Sequence, residues 1–320
     1  MEELRLLLIT QGVSRLVRPL FESEHPVIGV LESMSRDFDG SQNKSILVRI
    51  LKKIYSTVKN QDVFLPDFCG KKNIPYNFIW KKNSKEIADW IESLKPDLIV
   101  VFSMSQLLKD EILKIPRLGV INLHPSCLPS YRGANPDFWQ YYYMEMNPGA
   151  TGHYVNAGED TGDIIYQARV HIPLGTKSPA RLDKLIGELG VSLVLKAIDA
   201  IAQGNEPRIP QPTQSPTSRS RNLKPEEHEE IIDWQHWPIE RVWHVLRGTE
   251  LWLNAIAQPA GLLAGQRWSI QEYEKTGAPQ GSLGKIGKYN NRKCVFAKDG
   301  VIYIGIDFDI KKSILKILQR

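Results

Sequence analysis

The sequence is poor in cysteine and contains no long apolar run. Its three cysteines, Cys69, Cys127 and Cys294, lie far apart and form neither a metal-binding spacing nor a disulfide framework. This usage favours a reducing compartment. The first apolar run, residues 4–9, follows an acidic start and is too short for a signal sequence or a membrane span. We therefore expect a cytoplasmic protein that does not contact a membrane.

Neither sign of charge is in large excess. The 41 basic and 36 acidic residues give a net charge of +5 over 320 residues, and 42% of the residues are hydrophobic. This composition excludes a mainly disordered chain, and no internal repeat of fixed period is present. The weak positive charge is compatible with a phosphate-bearing ligand but does not indicate nucleic acid. The length predicts about two domains.

Apolar runs alternate with helical segments over the first two thirds of the chain. We expect helices at about 15–23, 84–94 and 179–203, and helical spacing also appears within 46–54. The strands expected between them are 4–9, 26–31, 98–102 and 119–123. Strands that alternate with helices predict an α/β domain with a parallel sheet covered by helices on both faces. We assign residues 1–204 to this domain.

The composition changes after residue 204. Residues 205–223 are rich in proline, serine and threonine and are typical of a linker. Residues 224–320 predict a helix at 239–246 followed by short strands, namely 266–273, 281–286, 294–297 and 301–306. This pattern suits a second, smaller domain of the β-barrel-like (OB-type) class.

One predicted strand ends in polar side chains. Asn122 and His124 lie two positions apart, so both point to the same face at the carboxyl end of the strand. A carboxamide can donate a hydrogen bond to a developing oxyanion, and an imidazole can donate one or move a proton. Asp160 and Asp163, in a glycine-bounded loop, are the candidates for a carboxylate that orients the histidine. Such a set suits acyl transfer through a tetrahedral intermediate.

Residues 122–133 read NLHPSCLPSYRG, and residues 158–163 read GEDTGD. These two motifs resemble those of the formyltetrahydrofolate-dependent formyltransferase family, in which an aspartate follows the histidine by 36 residues. Asp160 occupies that position here, since 124 + 36 = 160. The resemblance covers residues 95–204 well and implies a Rossmann-like formyltransferase domain with Asn122, His124 and Asp160 as its catalytic residues.

The resemblance further implies that the formyl group of N10-formyltetrahydrofolate is transferred to a primary amine without a metal. Asn122 and His124 would stabilise the oxyanion, and His124 or a water held by Asp160 would accept the amine proton. The loop 103–107 would hold the pterin, although Met104 and Leu107 are also compatible with core packing. The residues expected to bind this cosubstrate are Ser103, Met104, Leu107, Ser126, Cys127, Leu128, Pro129 and Gly158.

The segment RGANPDFW, residues 132–139, resembles that of sugar N-formyltransferases. We therefore expect a nucleotide-linked dideoxy amino sugar, carried by dTDP or GDP, as the acceptor in lipopolysaccharide O-antigen synthesis. On this interpretation tRNA is not expected as a partner, and a homodimer is left open. The residues expected to contact the acceptor are Ser14, Arg15, Tyr131, Arg132, Asn135, Phe138 and Trp139.

Two other functions are compatible with the sequence. Residues 231–243 resemble the start of the second domain of methionyl-tRNA formyltransferases, a barrel that contacts tRNA. Methionyl-tRNA formylation is therefore the first alternative, although the sequence shows no dense basic stripe of the kind that tRNA binding favours. The second is a protein that binds folate or a sugar nucleotide without catalysis, which the set of Asn122, His124 and Asp160 argues against.

Overall fold

The computed structural model describes residues 2–35, 64–80, 84–177 and 182–307. The chain divides into two units. The first comprises Met1–Gly133, Gly149–Arg169 and Ile186–Arg219, and the second comprises Ala134–Pro148, Val170–Leu185 and Ser220–Arg320. The boundaries expected at 204 and 223 stay a prediction, and the helical spacing within 46–54 lies outside the described residues.

A seven-stranded sheet, counted over the described residues, forms the centre of the first unit. Its order is β3-β2-β1-β4-β5-β6-β7, and the neighbouring strands from β3 to β5 pair in parallel. The strands are β1 (Leu6–Thr10), β2 (Val27–Ser33), β3 (Tyr76–Ile79), β4 (Leu98–Phe102), β5 (Val120–His124), β6 (Gly149–Tyr154) and β7 (Ile164–Arg169).

The sheet is mixed, which corrects the expectation of a parallel one. Strands β5 and β6 pair antiparallel, and so do β6 and β7. The connection between β6 and β7 has only nine residues, 155–163, whereas a crossover between parallel strands needs a dozen or more. The α/β class and the Rossmann-like order of the parallel strands are confirmed.

Helices follow most of these strands. Helix α3 shows the expected spacing, because Ile87 and Ile91 on one face are buried while Lys85 and Glu92 are exposed. Strand β1 is buried throughout, as a central parallel strand requires. The α-helices described between residues 17 and 203 are α1 (Val17–Phe21), α2 (Leu65–Lys71), α3 (Ser84–Leu94), α4 (Asp110–Leu113), α5 (Pro136–Tyr142) and α6 (Leu182–Gln203).

The second unit contains a four-stranded antiparallel sheet of order β8-β11-β10-β9. Helix α7 (Ile239–Thr249) packs its Val242 and Val245 into the same core as Ile270 and Ile302 of the sheet. The strands are β8 (Arg267–Lys275), β9 (Ile286–Tyr289), β10 (Arg292–Ala297) and β11 (Gly300–Asp307).

The strand expected at 281–286 is wrong in position, since β9 begins only at Ile286. Gly284 has a φ of +72°, which a β-strand does not accommodate, and Lys285 N–H donates to Ser282 O in a turn. The separate antiparallel sheet agrees with the short strands that the sequence predicts after residue 224. Within the described residues, none of the helices combines the length and the apolar character that a membrane span requires.

Candidate active site

The polar residues predicted to act together lie at the carboxyl end of β5. Asn122 and His124 alternate with Leu123 along the strand, so the period of two places them on one face. The neighbouring strands β1 and β4 end at the same edge with Thr10 and Phe102. The strand order changes direction between β1 and β4, and in open α/β sheets ligands bind at such a point.

The loop between β6 and β7 brings Asp160 to His124. Oδ2 of Asp160 lies 3.5 Å from Nδ1 of His124, and it also accepts a hydrogen bond of 2.9 Å from the Gly133 backbone N–H. Nε2 of His124 lies 2.9 Å from the carbonyl oxygen of Tyr131. Because that carbonyl can only accept, Nε2 carries the proton. The structure thus brings Asn122, His124 and Asp160 together, as predicted, while Asp163 lies immediately before β7.

His153 is a member of this cluster that the sequence reasoning missed. Its Nε2 lies 3.1 Å from Nδ2 of Asn122 and 3.6 Å from Oδ1 of Asp160. Its Nδ1 lies 2.8 Å from the carbonyl oxygen of Tyr154 and therefore donates. In the neutral imidazole Nε2 is then an acceptor for the Asn122 amide. In the sequence, residues 153–155 show only the alternation of a strand, and no motif marks residue 153 as part of the site.

Burial and charge act in opposite directions in this cluster. Burial lowers the pKa of His124 below its usual range, although the carboxylate of Asp160 partly opposes this. For Asp160, burial alone would raise the pKa, but His124 and His153 in their protonated forms and the N–H of Gly133 lower it to about 2. At neutral pH the cluster therefore contains an ionised Asp160 beside a neutral His124, which can accept a proton.

The Asp160 loop has a demanding backbone. Asp160 itself has a φ of +53°, a left-handed conformation that costs a non-glycine residue on the order of 1 kcal/mol or more. Gly162 lies so close to β6 that a Cβ atom would overlap the carbonyl oxygen of Tyr154. The glycine at this position is thus required by the close approach of the two chain segments.

The residues predicted to bind the cosubstrate lie along two segments of the first unit. Ser103, with a φ of +60°, and Leu107, which is 65% exposed, lie in the loop after β4, whereas Met104 packs against the apolar core. The other residues follow β5 or precede Asp160. Ser126, Cys127 and Leu128 are buried, Pro129 is partly buried and Gly158 is exposed.

The buried residues of the second segment have protein partners. Ser126 Oγ donates to the carbonyl oxygen of Ser130 at 2.7 Å, and the Cys127 thiol lies 3.6 Å from the carbonyl oxygen of Ala168. The Leu128 N–H donates to Thr151 Oγ1 at 3.1 Å. These bonds fix the backbone of the segment beside His124. Among the described residues, no group of three or more His, Cys, Asp and Glu side chains is arranged to hold a metal.

Four of the residues predicted to contact the acceptor also belong to the first unit. Ser14 accepts a hydrogen bond of 2.9 Å from Thr10 Oγ1, and Arg15 is exposed with its aliphatic part over Gly187. Tyr131 and Arg132 are buried, at 7% and 8% exposure. The donors of the Arg132 guanidinium are directed at protein oxygens of residues 211–213.

The other three belong to the second unit, at helix α5. Asn135 has a φ of +56° and precedes Pro136, the first residue of the helix. Phe138 is only 2% exposed, and its ring centroid lies 5.3 Å from that of Trp252. The Trp139 indole N–H donates to the carbonyl oxygen of Arg221 at 2.8 Å. Phe138 therefore packs inside its unit, where it offers no face to a base or sugar.

The comparisons with known proteins agree with the fold. Residues 58–198 match the Formyl transferase family model. The chain is 32% identical over 258 residues to the methionyl-tRNA formyltransferase of Clostridium beijerinckii, covering 79% of this chain and 78% of that protein. It is 40% identical over 138 residues to the enzyme of that name from Clostridioides difficile, covering 43% of this chain but only 44% of that protein.

A solved structure with the same fold is the N-formyltransferase of Helicobacter canadensis, described in complex with folinic acid and dTDP-3-aminofucose. It shares 16% identity with this chain, with a TM-score of 0.58, over 95% of this chain and all of that one. At this identity the likeness shows the fold alone.

These findings overturn the expectation of an amino sugar acceptor. The curated relatives at 31–40% identity are methionyl-tRNA formyltransferases, whereas the Helicobacter canadensis protein in complex with dTDP-3-aminofucose is a structural neighbour at only 16% identity. The names of these relatives also run against the expectation that tRNA is not a partner. The motif that suggested a sugar misled because Phe138 and Trp139 serve packing and a backbone hydrogen bond within their own unit.

The geometry at the end of β5 and the sequence relatives lead to one family. The cluster of Asn122, His124 and Asp160 lies on a Rossmann-like sheet, where the motifs of the sequence predicted it. The match at 32% identity extends over more than three quarters of both chains. The chain belongs to the formyltransferase family.

Proposed function

We propose that this protein transfers the formyl group of N10-formyltetrahydrofolate to the α-amine of methionyl-tRNA. The observation that carries the proposal is the placement of His124 Nδ1 3.5 Å from Asp160 at a strand end beside Asn122, in a chain whose relatives are methionyl-tRNA formyltransferases. An ionised carboxylate beside a neutral imidazole supplies a proton acceptor. The Asn122 amide supplies a donor to a formyl oxygen.

The residues of the cluster divide the reaction between them. The amine nitrogen attacks the formyl carbon, and the carbonyl oxygen gains the charge. A carboxamide has two N–H donors, so Asn122 can hold His153 with one and the oxyanion with the other. His124, or a water held by Asp160, accepts the amine proton. The bond from carbon to N10 then breaks, and N10 takes up a proton, which yields formylated amine and tetrahydrofolate.

The loop after β4 has features that fit the cosubstrate. Ser105 N–H donates to Ser33 Oγ at 3.1 Å, which ties the loop to the end of β2. The Nε2 atom of Gln106 is buried and has no hydrogen-bond partner within the described residues. Leu107 exposes most of its side chain. An unused donor beside an apolar surface suits a flat heterocycle with hydrogen-bond acceptors, such as a pterin.

The second unit has a basic surface that suits the phosphates of tRNA. Lys288 on β9 lies directly opposite Lys293 on β10, and both are exposed, as are Lys285 and Lys298. Like charges opposite each other on a sheet destabilise it, so their position favours an anionic ligand. The sequence alone does not show Lys288 and Lys293 as neighbours, because only the pairing of β9 with β10 brings them together. We further propose that this sheet is part of an OB-type barrel within a separate C-terminal domain that follows the linker.

The proposal is tested by a formyl-transfer assay with N10-formyltetrahydrofolate and charged initiator methionyl-tRNA. Free methionine and uncharged tRNA serve as matched controls, and a panel of nucleotide-linked amino sugars is assayed in parallel. We expect a formylated product with the charged tRNA only. Turnover of an amino sugar without any tRNA product, or folate binding with no turnover of any acceptor, would contradict the proposal.

A further inference from the structure

The segment 205–219, expected to be a linker, is bonded to the first unit. Ile209 and Ile164 form an isolated antiparallel bridge, with N–H to O distances of 2.9 and 3.0 Å in the two directions. Ser215 Oγ donates to the carbonyl oxygen of Pro129 at 2.8 Å. Arg219 Nη2 donates to Glu159 Oε1 at 2.7 Å. The segment therefore contacts both the loop after β5 and the loop that carries Asp160.

Gln211 lies at the centre of these contacts. Its Nε2 donates to the carbonyl oxygen of Asp160 at 3.0 Å and to that of Gly162 at 2.6 Å. Its Oε1 accepts hydrogen bonds from Nη2 and Nε of Arg132, at 2.8 and 3.2 Å. One side chain thus connects the Asp160 backbone to a buried guanidinium.

The partners of Gln211 lead directly to the catalytic cluster. Arg132 follows Tyr131, whose carbonyl oxygen lies 2.9 Å from His124 Nε2. The Tyr131 N–H is itself held by Thr217 Oγ1 at 2.7 Å. At the other end of the Gln211 side chain, Asp160 has a left-handed backbone conformation. Such a conformation persists only where contacts with the surrounding residues stabilise it. The side-chain amide of Gln211 donates to the carbonyl oxygen of Asp160 and to that of Gly162, two positions further on.

We propose that Gln211 is a positioning residue for formyl transfer, which fixes the Asp160 loop relative to His124 by binding the loop carbonyls and the Arg132 guanidinium. This proposal rests on the proposed function for its kinetic readout. Gln211 lies outside the two motifs that carry the family resemblance. It acts through Asp160, whose distance from His124 sets both the orientation of the imidazole and its affinity for a proton.

Two variants of the protein test separately the hydrogen bonds that Gln211 donates and those that it accepts. Gln211→Met removes all four bonds while keeping the chain length. Gln211→Glu can still accept from Arg132 but cannot donate to the two carbonyls. Gln214→Met is the matched control, because Gln214 lies three residues further along the same segment and is exposed.

We expect kcat to fall by about tenfold or more in both Gln211 variants, with KM for each substrate within about twofold of wild type. The acid limb of the pH profile should move to lower pH, because a more distant Asp160 raises the pKa of His124 less. Amide hydrogen exchange over residues 156–165 should accelerate. Gln214→Met should resemble wild type in all three measurements.

Three results would overturn the proposal. The first is a Gln211→Met protein with wild-type kcat and exchange. The second is a lower kcat with an unmoved acid limb and a lower melting temperature, which would indicate a merely structural role. The third is a Gln211→Glu protein equal to wild type, since the carbonyl bonds would then be dispensable. If the wild-type protein formylates no acceptor, the proposed function fails, while the exchange measurement still tests whether Gln211 holds the loop.

Discussion

Asn122 and His153 face each other across the antiparallel pair of β5 and β6, and the Asn122 amide nitrogen lies 3.1 Å from Nε2 of His153. The amide could otherwise rotate about its last torsion, which is broad for asparagine. His153 is itself fixed by the bond from its Nδ1 to the Tyr154 carbonyl. The pairing of the two strands therefore orients the donor that the proposed oxyanion needs.

His153 should contribute through Asn122, and a double-mutant cycle tests this. We expect His153→Ala to lower kcat by about tenfold, the effect of one lost hydrogen bond. If His153 acts through the amide, His153→Ala combined with Asn122→Ala should be no slower than Asn122→Ala alone. Multiplicative losses in the double variant would assign His153 an independent role.

Loss of Asn122 or His124 should be far more severe. Removal of one oxyanion donor typically costs on the order of 10² to 10³ in rate, so we expect losses of at least that order for Asn122→Ala and His124→Ala. Single-turnover kinetics with charged tRNA measures the step, and the melting temperature checks the fold. Asn205→Ala, at an exposed asparagine of the same unit, is the control. Near-normal turnover of His124→Ala would refute the assignment.

Gly162→Ala should distort the active site by displacing the backbone next to it. The new Cβ would overlap the Tyr154 carbonyl oxygen, which holds His153, and so must displace either β6 or the Asp160 loop. We expect a lower melting temperature together with a loss of kcat. The matched substitution Gly70→Ala, in helix α2 with no atom within 4 Å of its Cβ, should be neutral or stabilising. Equal behaviour of the two variants in thermal unfolding would contradict the prediction.

The second unit should lose stability in mild acid because of His244. Its Nδ1 accepts the Gly175 N–H at 2.8 Å, and burial lowers its pKa to about 4. The folded state therefore resists protonation, so stability is complete above about pH 6.5 and decreases as the pH falls towards 4, by about 3 kcal/mol. His244→Asn keeps an acceptor without a titrating group and should remove this pH dependence. Urea unfolding between pH 4 and 7 measures the free energy of unfolding at each pH. If this free energy changes equally with pH in both proteins, the role of His244 is refuted.

The basic surface of the second unit should bind tRNA electrostatically. We expect Lys288→Ala combined with Lys293→Ala to weaken the binding of charged tRNA and to reduce the slope of log affinity against log salt by about 2. Lys85→Ala with Lys114→Ala, two exposed lysines of the first unit, is the control. Binding titrations at several salt concentrations provide both numbers. An unchanged salt slope in the Lys288 and Lys293 variant would place the tRNA elsewhere.

Much of the fold could be predicted because its apolar periodicity is local. Helix α3 follows from the spacing of Ile87 and Ile91, and α6 from its long apolar stripe. Helix α2 and strand β3 were missed, because α2 is short and contains Gly70, and β3 has four residues with Asn77 among them. Neither segment is long enough to establish a period.

The site could be predicted only where its geometry is local or carried by a motif. The period of a strand places Asn122 beside His124, and the motif spacing selected Asp160 over Asp163. His153 depends on the register of an antiparallel strand, and Gln211 on bonds that cross about 50 residues of chain. Composition alone could not predict the bonds of residues 205–219 to the first unit, because prolines and serines suit an extended segment packed on a surface as well as a free linker.

The attachment of residues 205–219 has a consequence for gene fragments and fusions. A fragment that ended at Gly204 would encode Asn122, His124 and Asp160 and would still lack the bridge at Ile209 and the amide of Gln211. A fragment that ended after Arg219 would retain both. Deletions that shorten the stretch between Gln203 and Ile209 would strain the bridge from Ile209 to Ile164, just after the loop that presents Asp160. Changes of chain length after Arg219 would leave both the bridge at Ile209 and the bonds of Gln211 intact.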